Sequence, residues 1–181
     1  LAADRSRVTS AAASALTAAA LVEASQTSRP FAGELQALAA SAPSLDLRAL
    51  TADAERGAPS RMALAASFPD YAARAASAAR APGDGAGVLD RIGYALSRVV
   101  TLRRVGDLPG EGLDAVLAKA EQQVEDGDLT TALATLEALP PDGKDALGPW
   151  RDRAERRARI DRNIAEVRAQ ALKDLTDLAR S

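Results

Sequence analysis

The chain has 181 residues, 47% of them hydrophobic and 3% aromatic, and its 23 basic and 25 acidic residues give a formal net charge of -2. Because it contains no Cys and no His, it has no thiol nucleophile, no disulfide, no Ser-His-Asp triad and none of the usual zinc ligand sets. The near-neutral charge balance also differs from the basic footprint of a nucleic-acid binder. We therefore expect that the protein is not an enzyme, holds no cofactor or metal ion, and binds no nucleic acid.

The composition favours helices throughout. About a quarter of the residues are Ala, well above its average usage, and Ala is the strongest helix former. No sustained alternation of β-branched or aromatic residues with polar ones predicts a strand, so we expect an all-α helical bundle. No run of eighteen apolar residues predicts a membrane span. The sequence does not begin with Met, and its first residues are typical of a helix interior, so we expect a fragment of a longer protein.

Two helices are predicted before Pro43. The first covers residues 4–28 and has a weak apolar stripe made of Val8, Ala12, Leu16, Ala19 and Val22. This stripe suits close helix packing or the continuation of a coiled coil. Pro30 begins the second helix, which ends at Pro43 and carries Phe31, Leu35 and Leu38.

Two more helices are predicted before residue 80. Gly57 and Pro59 close a short helix that carries Leu47, Leu50 and Ala54. Ser60 is the predicted N-cap of the next helix, whose apolar face comprises Met62, Ala65, Phe68, Ala72 and Ala76. Pro69 is expected to kink or split this helix, because proline lacks a backbone donor and clashes with the preceding turn.

Residues 81–87, with the sequence APGDGAG, form the clearest linker. Three Gly and one Pro among seven residues disfavour a stable helix. We expect a hinge here, so that the helices before and after it need not form one rigid body.

Residues 88–104 predict an amphipathic helix, for which two interpretations stay open. Its broad apolar face includes Leu89, Ile92, Leu96 and Val99, and arginines flank this face or close the helix. As an interfacial helix it would insert the apolar side chains among lipid headgroups and set the arginines against anionic phosphates. As an ordinary bundle helix it would bury the face in the protein and leave the arginines solvated. One face can also do both, packed in solution and open toward lipid.

The chain after Leu113 has the spacing of an αα-hairpin. Apolar residues recur at helical intervals in two segments, first Leu113, Val116, Leu117, Ala120 and Val124, then Leu129, Ala132, Leu133, Leu136 and Leu139. Gly127 suits a left-handed turn and Asp128 suits an N-cap. The hairpin is of the kind that one tetratricopeptide unit forms. The sequence contains no second copy at a fixed period, so we do not expect a solenoid.

A long final helix follows the hairpin. Pro140 and Pro141 end the hairpin, and Pro149 is predicted to begin the helix. Trp150 is interpreted as a core anchor and not as a membrane-interface residue. The run 151–162, RDRAERRARIDR, is interpreted as a solvated face with ion pairs four residues apart. A second contact with lipid headgroups or a partner is the alternative for this run.

The order of features over 113–160 is distinctive. A Gly-Asp-Leu turn joins two helices, a Leu-rich helix follows, and a Trp precedes Ala and basic residues; these are Gly127, Asp128, Leu129, Leu133, Leu136, Leu139, Trp150, Arg153, Ala154 and Arg157. This pattern resembles the C-terminal domain of the mitofilin family. The upstream stretches RPFAGELQALAASAP and GAPSRMALAASFPDYA look like alphaproteobacterial relatives, and no position is a catalytic signature.

The resemblance implies a role at a membrane. Mitofilin-type proteins are anchored in the inner membrane, project into the intermembrane space or the bacterial periplasm, and shape membranes at crista junctions or intracytoplasmic membranes. They carry a lipid-binding segment just before the C-terminal hairpin, which corresponds here to Leu89, Arg91, Ile92, Leu96, Arg98, Val99, Arg103 and Arg104. Anionic lipids, a second copy and envelope or outer-membrane assembly proteins are the implied partners, and the periplasmic side of a bacterial inner membrane is the implied location.

These interpretations predict four segments and one function. The segments are N-terminal helices over 1–80, a linker over 81–87, a lipid-binding helix over 88–104 and a mitofilin-type helical domain over 113–181. The predicted function is non-enzymatic membrane shaping and scaffolding that organises inner-membrane junctions. The rival is a soluble helical adaptor that binds a protein or peptide in a tetratricopeptide-like groove. The two differ in whether the apolar face of 88–104 meets lipid.

Overall fold

The structure is a computed structural model that describes residues 2–81 and 112–180. These ranges contain seven α-helices and no strand, which confirms the all-α prediction. The helices are α1 Ala2–Gln26, α2 Ala32–Ser41, α3 Arg48–Arg56, α4 Arg61–Arg80, α5 Leu113–Glu125, α6 Leu129–Leu136 and α7 Pro141–Arg180. Most of the predicted linker and all of 88–104 lie outside the described residues, so the domain ranges stay a prediction.

The chain divides into two compact units. Unit 1 consists of Leu1–Arg61 and Arg153–Ser181, and unit 2 consists of Met62–Asp152. Unit 1 therefore contains α1, α2, α3 and the later part of α7. Unit 2 contains nearly all of α4, the α5–α6 hairpin and the first part of α7.

The core of unit 1 is an aliphatic cluster around one aromatic ring. Phe31 is 1% exposed and lies directly before α2, and its amide donates a 2.9 Å hydrogen bond to the carbonyl of Ala54 in α3. The other buried apolar members are Ala18, Leu21, Leu35, Leu38, Ala42, Leu47, Leu50, Ala54, Ala58, Ile160 and Ile164. The faces predicted for the second and third helices are thus confirmed, because all six of their named apolar residues are buried.

Gly57 allows a close approach of two loops in unit 1. Its φ of 67° and ψ of -177° belong to a region that L residues with a side chain rarely adopt. A Cβ at this position would lie 2.8 Å from the carbonyl oxygen of Arg29. The chain after α3 therefore passes directly against the chain after α1, and the amide of Ser60 donates to Ser28 Oγ over 3.1 Å.

Most of the apolar stripe predicted for the first helix is not the face that packs in unit 1, although Val22 is partly buried against the core. Leu16 is 72% exposed, and Ala12 and Ala19 are exposed with it, whereas α1 buries Ala18 and Leu21. An Ala-rich helix has little contrast between its faces, so its own spacing does not decide which face is buried.

Polar contacts with α2 accompany the burial of Ala18 and Leu21. Ser14 Oγ donates to the carbonyl of Ser41 over 2.8 Å, and the hydroxyls of Thr17 and Ser41 lie 2.7 Å apart. The spacing of apolar residues along the sequence does not predict such polar contacts between helices.

The fourth helix differs from its predicted face, and of the kink or split predicted at Pro69 the split does not occur. Phe68 and Ala76 are buried as expected, but Met62 is 82% exposed and Leu64 takes the buried position. The helix is not split, since α4 runs through Pro69. Pro69 is exposed, and α4 has buried residues on both sides of it, Leu64 and Phe68 before and Ala75 and Ala76 after.

The α5–α6 hairpin has the predicted geometry. Gly127 adopts a φ of 79°, and the side chain of Asp128 accepts a 3.0 Å hydrogen bond from the amide of Thr131. Thr135 Oγ1 also donates to Gln123 Oε1 over 2.8 Å. The buried residues of the two helices are Leu117, Ala120, Val124, Leu129, Ala132 and Leu136.

The final helix begins eight residues earlier than predicted. α7 starts at Pro141 and includes Pro149 in its interior. Pro141 fits the first helical position, where the missing amide has no partner to lose. Pro149 is tolerated on an exposed side of the helix, while Leu147 and Trp150 beside it are fully buried.

Candidate membrane-contact segment and the residues that frame it

The eight residues predicted to bind membrane lie outside the described residues. They are Leu89, Arg91, Ile92, Leu96, Arg98, Val99, Arg103 and Arg104. Their assignment therefore stays a prediction. The structure does describe the two helices on either side of them, α4 and α5.

An ion pair joins the facing ends of these two helices. Arg80, in the last turn of α4, donates through Nη2 to Oδ1 of Asp114, in the first turn of α5. Each charge has the sign that its helix end favours. Both side chains are at least half exposed, so the pair contributes at most about 1 kcal/mol. It nevertheless shows that the two points flanking residues 82–111 are neighbours.

Trp150 is a core residue of unit 2, as predicted. It is 0% exposed, and its indole Nε1 donates a 3.1 Å hydrogen bond to the carbonyl of Leu64. Its ring meets the ring of Phe68 edge-on, with centroids 4.8 Å apart and planes at 66°. A buried indole needs such an acceptor, so both the shape and the polar end of Trp150 are accommodated inside the unit.

The basic run of α7 is not simply a solvated face. Arg157 is 1% exposed and donates through Nη1 to the carbonyl of Ser25, near the end of α1. It also pairs with Asp161 one turn later, and Asp161 accepts from Arg61 Nε over 2.8 Å. The solvated interpretation is therefore wrong for Arg157, whose positive charge lies at the negative end of α1.

Arg159 holds a buried carboxylate of α3. Its Nε and Nη2 donate to the two carboxylate oxygens of Asp53, each over 2.9 Å. Asp53 is 5% exposed, and the hydrogen bonds to it raise the pKa of Arg159 above its ordinary value. Sequence reasoning missed this pair because 106 positions separate its members. Its only local signal is a carboxylate next to Ala54 on the apolar side of a short helix.

Glu137, at the junction of α6 and α7, forms ion pairs with two basic side chains. Lys144 Nζ donates to its Oε2 over 3.2 Å, and Arg151 Nη2 donates to its Oε1. The hydrogen bond from Lys144, followed by that from Arg151, lowers the pKa of Glu137 below its ordinary value. Arg151, like Arg157 and Arg159, thus has an acceptor within the protein.

The described ranges offer neither a metal cage nor a membrane span. Within them, no group of three or more Asp and Glu side chains is placed to hold a metal ion. None of the helices in residues 2–81 and 112–180 combines the length and apolar character that crossing a bilayer requires.

One comparison with known proteins identifies the chain. The sequence model of the Mitofilin family, described as a mitochondrial inner membrane protein, matches residues 5–173. No curated protein and no solved structure matches the chain. The family is one of structural scaffolds with a role in the organisation of the inner membrane. Because the match runs from α1 into the last turns of α7 and covers most of the sequence, the chain belongs to the Mitofilin family of inner-membrane proteins.

Proposed function

We propose that this chain is a non-enzymatic membrane-shaping and scaffolding region that contacts the periplasmic face of a bacterial inner membrane. Its contact with anionic lipid is made by residues 88–104. The observation that carries the proposal is the apolar face of this segment, edged with arginine, in a member of an inner-membrane scaffold family. Organisation of crista-like or intracytoplasmic membrane junctions then follows from anchoring a folded body to the lipid surface.

The energetics suit reversible binding at an interface. Burial of Leu89, Ile92, Leu96 and Val99 would remove apolar surface from water at roughly 25 cal/mol per Å². Arginines near an anionic surface contribute on the order of 1 kcal/mol each, and salt screens this part. A segment of this kind lies on a membrane instead of crossing it.

Contacts among the described residues account for the other candidate membrane-contact groups. The aromatic centre of unit 2, in which Trp150 contacts Phe68 and Leu64, is assembled from α4 and α7. The paired arginines of α7 already have acceptors inside the protein. Arg80 and Asp114, on the two helices that flank residues 82–111, form an ion pair.

Scaffolding also requires more than one contact. A homodimer would bring two copies of 88–104 to one membrane, and the second contact would gain from a high effective concentration. Envelope or outer-membrane assembly proteins are the further partners that we propose for the remaining surface.

The test is co-sedimentation of the 181-residue chain with liposomes. We expect binding to vesicles that contain anionic phospholipid, weaker binding at high salt, and little binding to neutral vesicles. Leu96→Asp should abolish binding, because it places a charge in the middle of the inserted face. Leu172→Asp is the matched control, since Leu172 is 54% exposed in α7 and outside the segment.

Two results would contradict the proposal. One is a native chain that does not bind anionic vesicles while its circular dichroism and unfolding transition are normal. The other is a Leu96→Asp variant that unfolds when the native chain shows no lipid binding, which would favour a bundle helix and the soluble adaptor.

A further inference from the structure

We propose that Arg157 makes the docking of α1 in unit 1 conditional on the negative charge of Asp161. In this device α1 is the element of unit 1 that detaches first, and it detaches when the buried guanidinium of Arg157 loses its countercharge. The inference concerns the folded body alone and does not depend on lipid binding by 88–104.

The guanidinium of Arg157 is buried at the point where the last turn of α1 meets α7. Arg157 is 1% exposed, and Ser25, whose carbonyl oxygen accepts from Arg157 Nη1, is 2% exposed. The hydroxyl of Ser25 is directed to its own helix, since Oγ donates to the carbonyl of Val22 over 2.8 Å. Through Ser25, α1 therefore gives Arg157 one neutral acceptor and no full negative charge.

The hydrogen-bonding capacity of Arg157 is only partly used. Its Nη2 lies 2.5 Å from Oδ1 of Asp161, which is an ion pair without hydrogen-bond geometry, and no residue in the described ranges accepts a hydrogen bond from Nε or Nη2. A guanidinium has five N–H donors, all of which water can satisfy. Because a buried cation is costly unless it is paired, the charge of Asp161 is what allows Arg157 to stay beneath α1.

Asp161 is shared between a buried cation and an exposed one. Its side chain is 22% exposed, and its Oδ2 accepts over 2.8 Å from Nε of Arg61, whose side chain is 57% exposed. Loss of the Asp161 charge therefore affects its two partners differently. Arg61 can turn to solvent, whereas Arg157 reaches water only when an element that covers it moves away.

α1 is the covering element with the fewest apolar anchors. Among the described side chains, it contributes only Ala18 and Leu21 to the buried core cluster of unit 1, whereas residues 31–58 contribute eight. Elements with few buried apolar contacts open locally at a lower free energy than the rest of a fold. Release of α1 is therefore the least costly way to hydrate an unpaired Arg157.

The test is native-state hydrogen exchange of the 181-residue chain, read peptide by peptide with mass spectrometry. Asp161→Asn should speed the exchange of amides in residues 14–26 of α1 at least about tenfold, because Arg157 becomes a buried cation without a countercharge. Amides of α2 and α3 should change by less than about threefold. Glu166→Gln is the matched control, since it removes one acidic charge at an exposed position of the same helix and should leave α1 unchanged.

A second substitution distinguishes this device from an ordinary stabilising ion pair. Arg157→Met replaces the guanidinium with an apolar side chain, so that Asp161→Asn should no longer affect α1 in this background. Arg157→Leu provides a second background of the same kind. The proposal is overturned if Asp161→Asn leaves the exchange of α1 unchanged, if it speeds exchange equally in α1, α2 and α3, or if it acts as strongly without the guanidinium as with it.

Discussion

Asp53 is a carboxylate in the core of unit 1, and a single arginine supplies its side-chain partner. Both of its oxygens accept from Arg159, and its side chain is 8% exposed while that of Arg159 is 51% exposed. The acidic member of the ion pair is thus buried, whereas the arginine is in contact with solvent. If Arg159 were removed, water would replace only some of its hydrogen bonds, because solvent has little access to the buried carboxylate of Asp53.

We expect Arg159→Met to lower the free energy of unfolding by about 2 kcal/mol, because a buried carboxylate would lose both charged donors. Urea unfolding followed by circular dichroism measures the change. Arg162→Met, which alters an exposed arginine one turn later, is the control and should change stability by less than about 0.5 kcal/mol. Equal effects of the two substitutions would show that Asp53 does not depend on Arg159.

Two glycines of unit 1 should respond in opposite directions to the same substitution. Gly57→Ala meets an unfavourable φ and a backbone oxygen at 2.8 Å, so we expect a loss of about 2 kcal/mol. Gly33→Ala meets no atom within 4 Å inside α2, so we expect a gain of roughly 0.5 to 1 kcal/mol. Urea midpoints give both values, and a Gly57→Ala variant as stable as the native chain would contradict the loop geometry.

At the scale of elements, the sequence predicts best where the deciding interactions are local. The α5–α6 hairpin follows from Gly127 and Asp128, whose turn and cap act within a few residues. The face of α1 that packs in unit 1 could not be predicted, because its Ala-rich pattern has little contrast and its polar contacts are with Ser41 of another helix. The start of α7 was misplaced because Pro149 can occupy a helix interior that neighbouring buried residues stabilise.

The junction of α6 and α7 should weaken in acid. The pKa of Glu137 is lowered by Lys144 and Arg151, so this carboxylate stabilises the fold above its unfolded pKa, near 4.3. That contribution is lost as the pH falls through the lower folded pKa.

We therefore expect Glu137→Gln to reduce the melting temperature at pH 7, with a difference that shrinks as the pH falls below about 4. Calorimetry at several pH values measures it. Glu125→Gln, at an exposed position in α5, serves as the control and should leave the profile close to that of the native chain. A Glu137→Gln difference that is constant across pH would refute the assigned role of this junction.

At the scale of the whole molecule, the family and the helical class were predicted from the sequence and are confirmed. The candidate site was predicted from the pattern of 88–104 and stays a prediction, because those residues lie outside the described ranges. The long-range partners of the α7 arginines could not be predicted, since Ser25 and Asp53 lie more than 100 positions before them. An arginine-rich run alone does not distinguish internal ion pairs from a lipid contact.

The most direct measurement of the membrane claim uses the absence of native cysteine. An environment-sensitive fluorophore is attached to a cysteine introduced by Leu96→Cys or by Ser97→Cys. In the helix predicted over 88–104, Leu96 belongs to the apolar face and Ser97 to the opposite, polar face. With anionic vesicles, we predict a blue shift and brighter emission at position 96 and little change at position 97, because only the apolar face enters the hydrocarbon boundary. An unchanged spectrum at position 96 in the presence of excess vesicles would contradict the account.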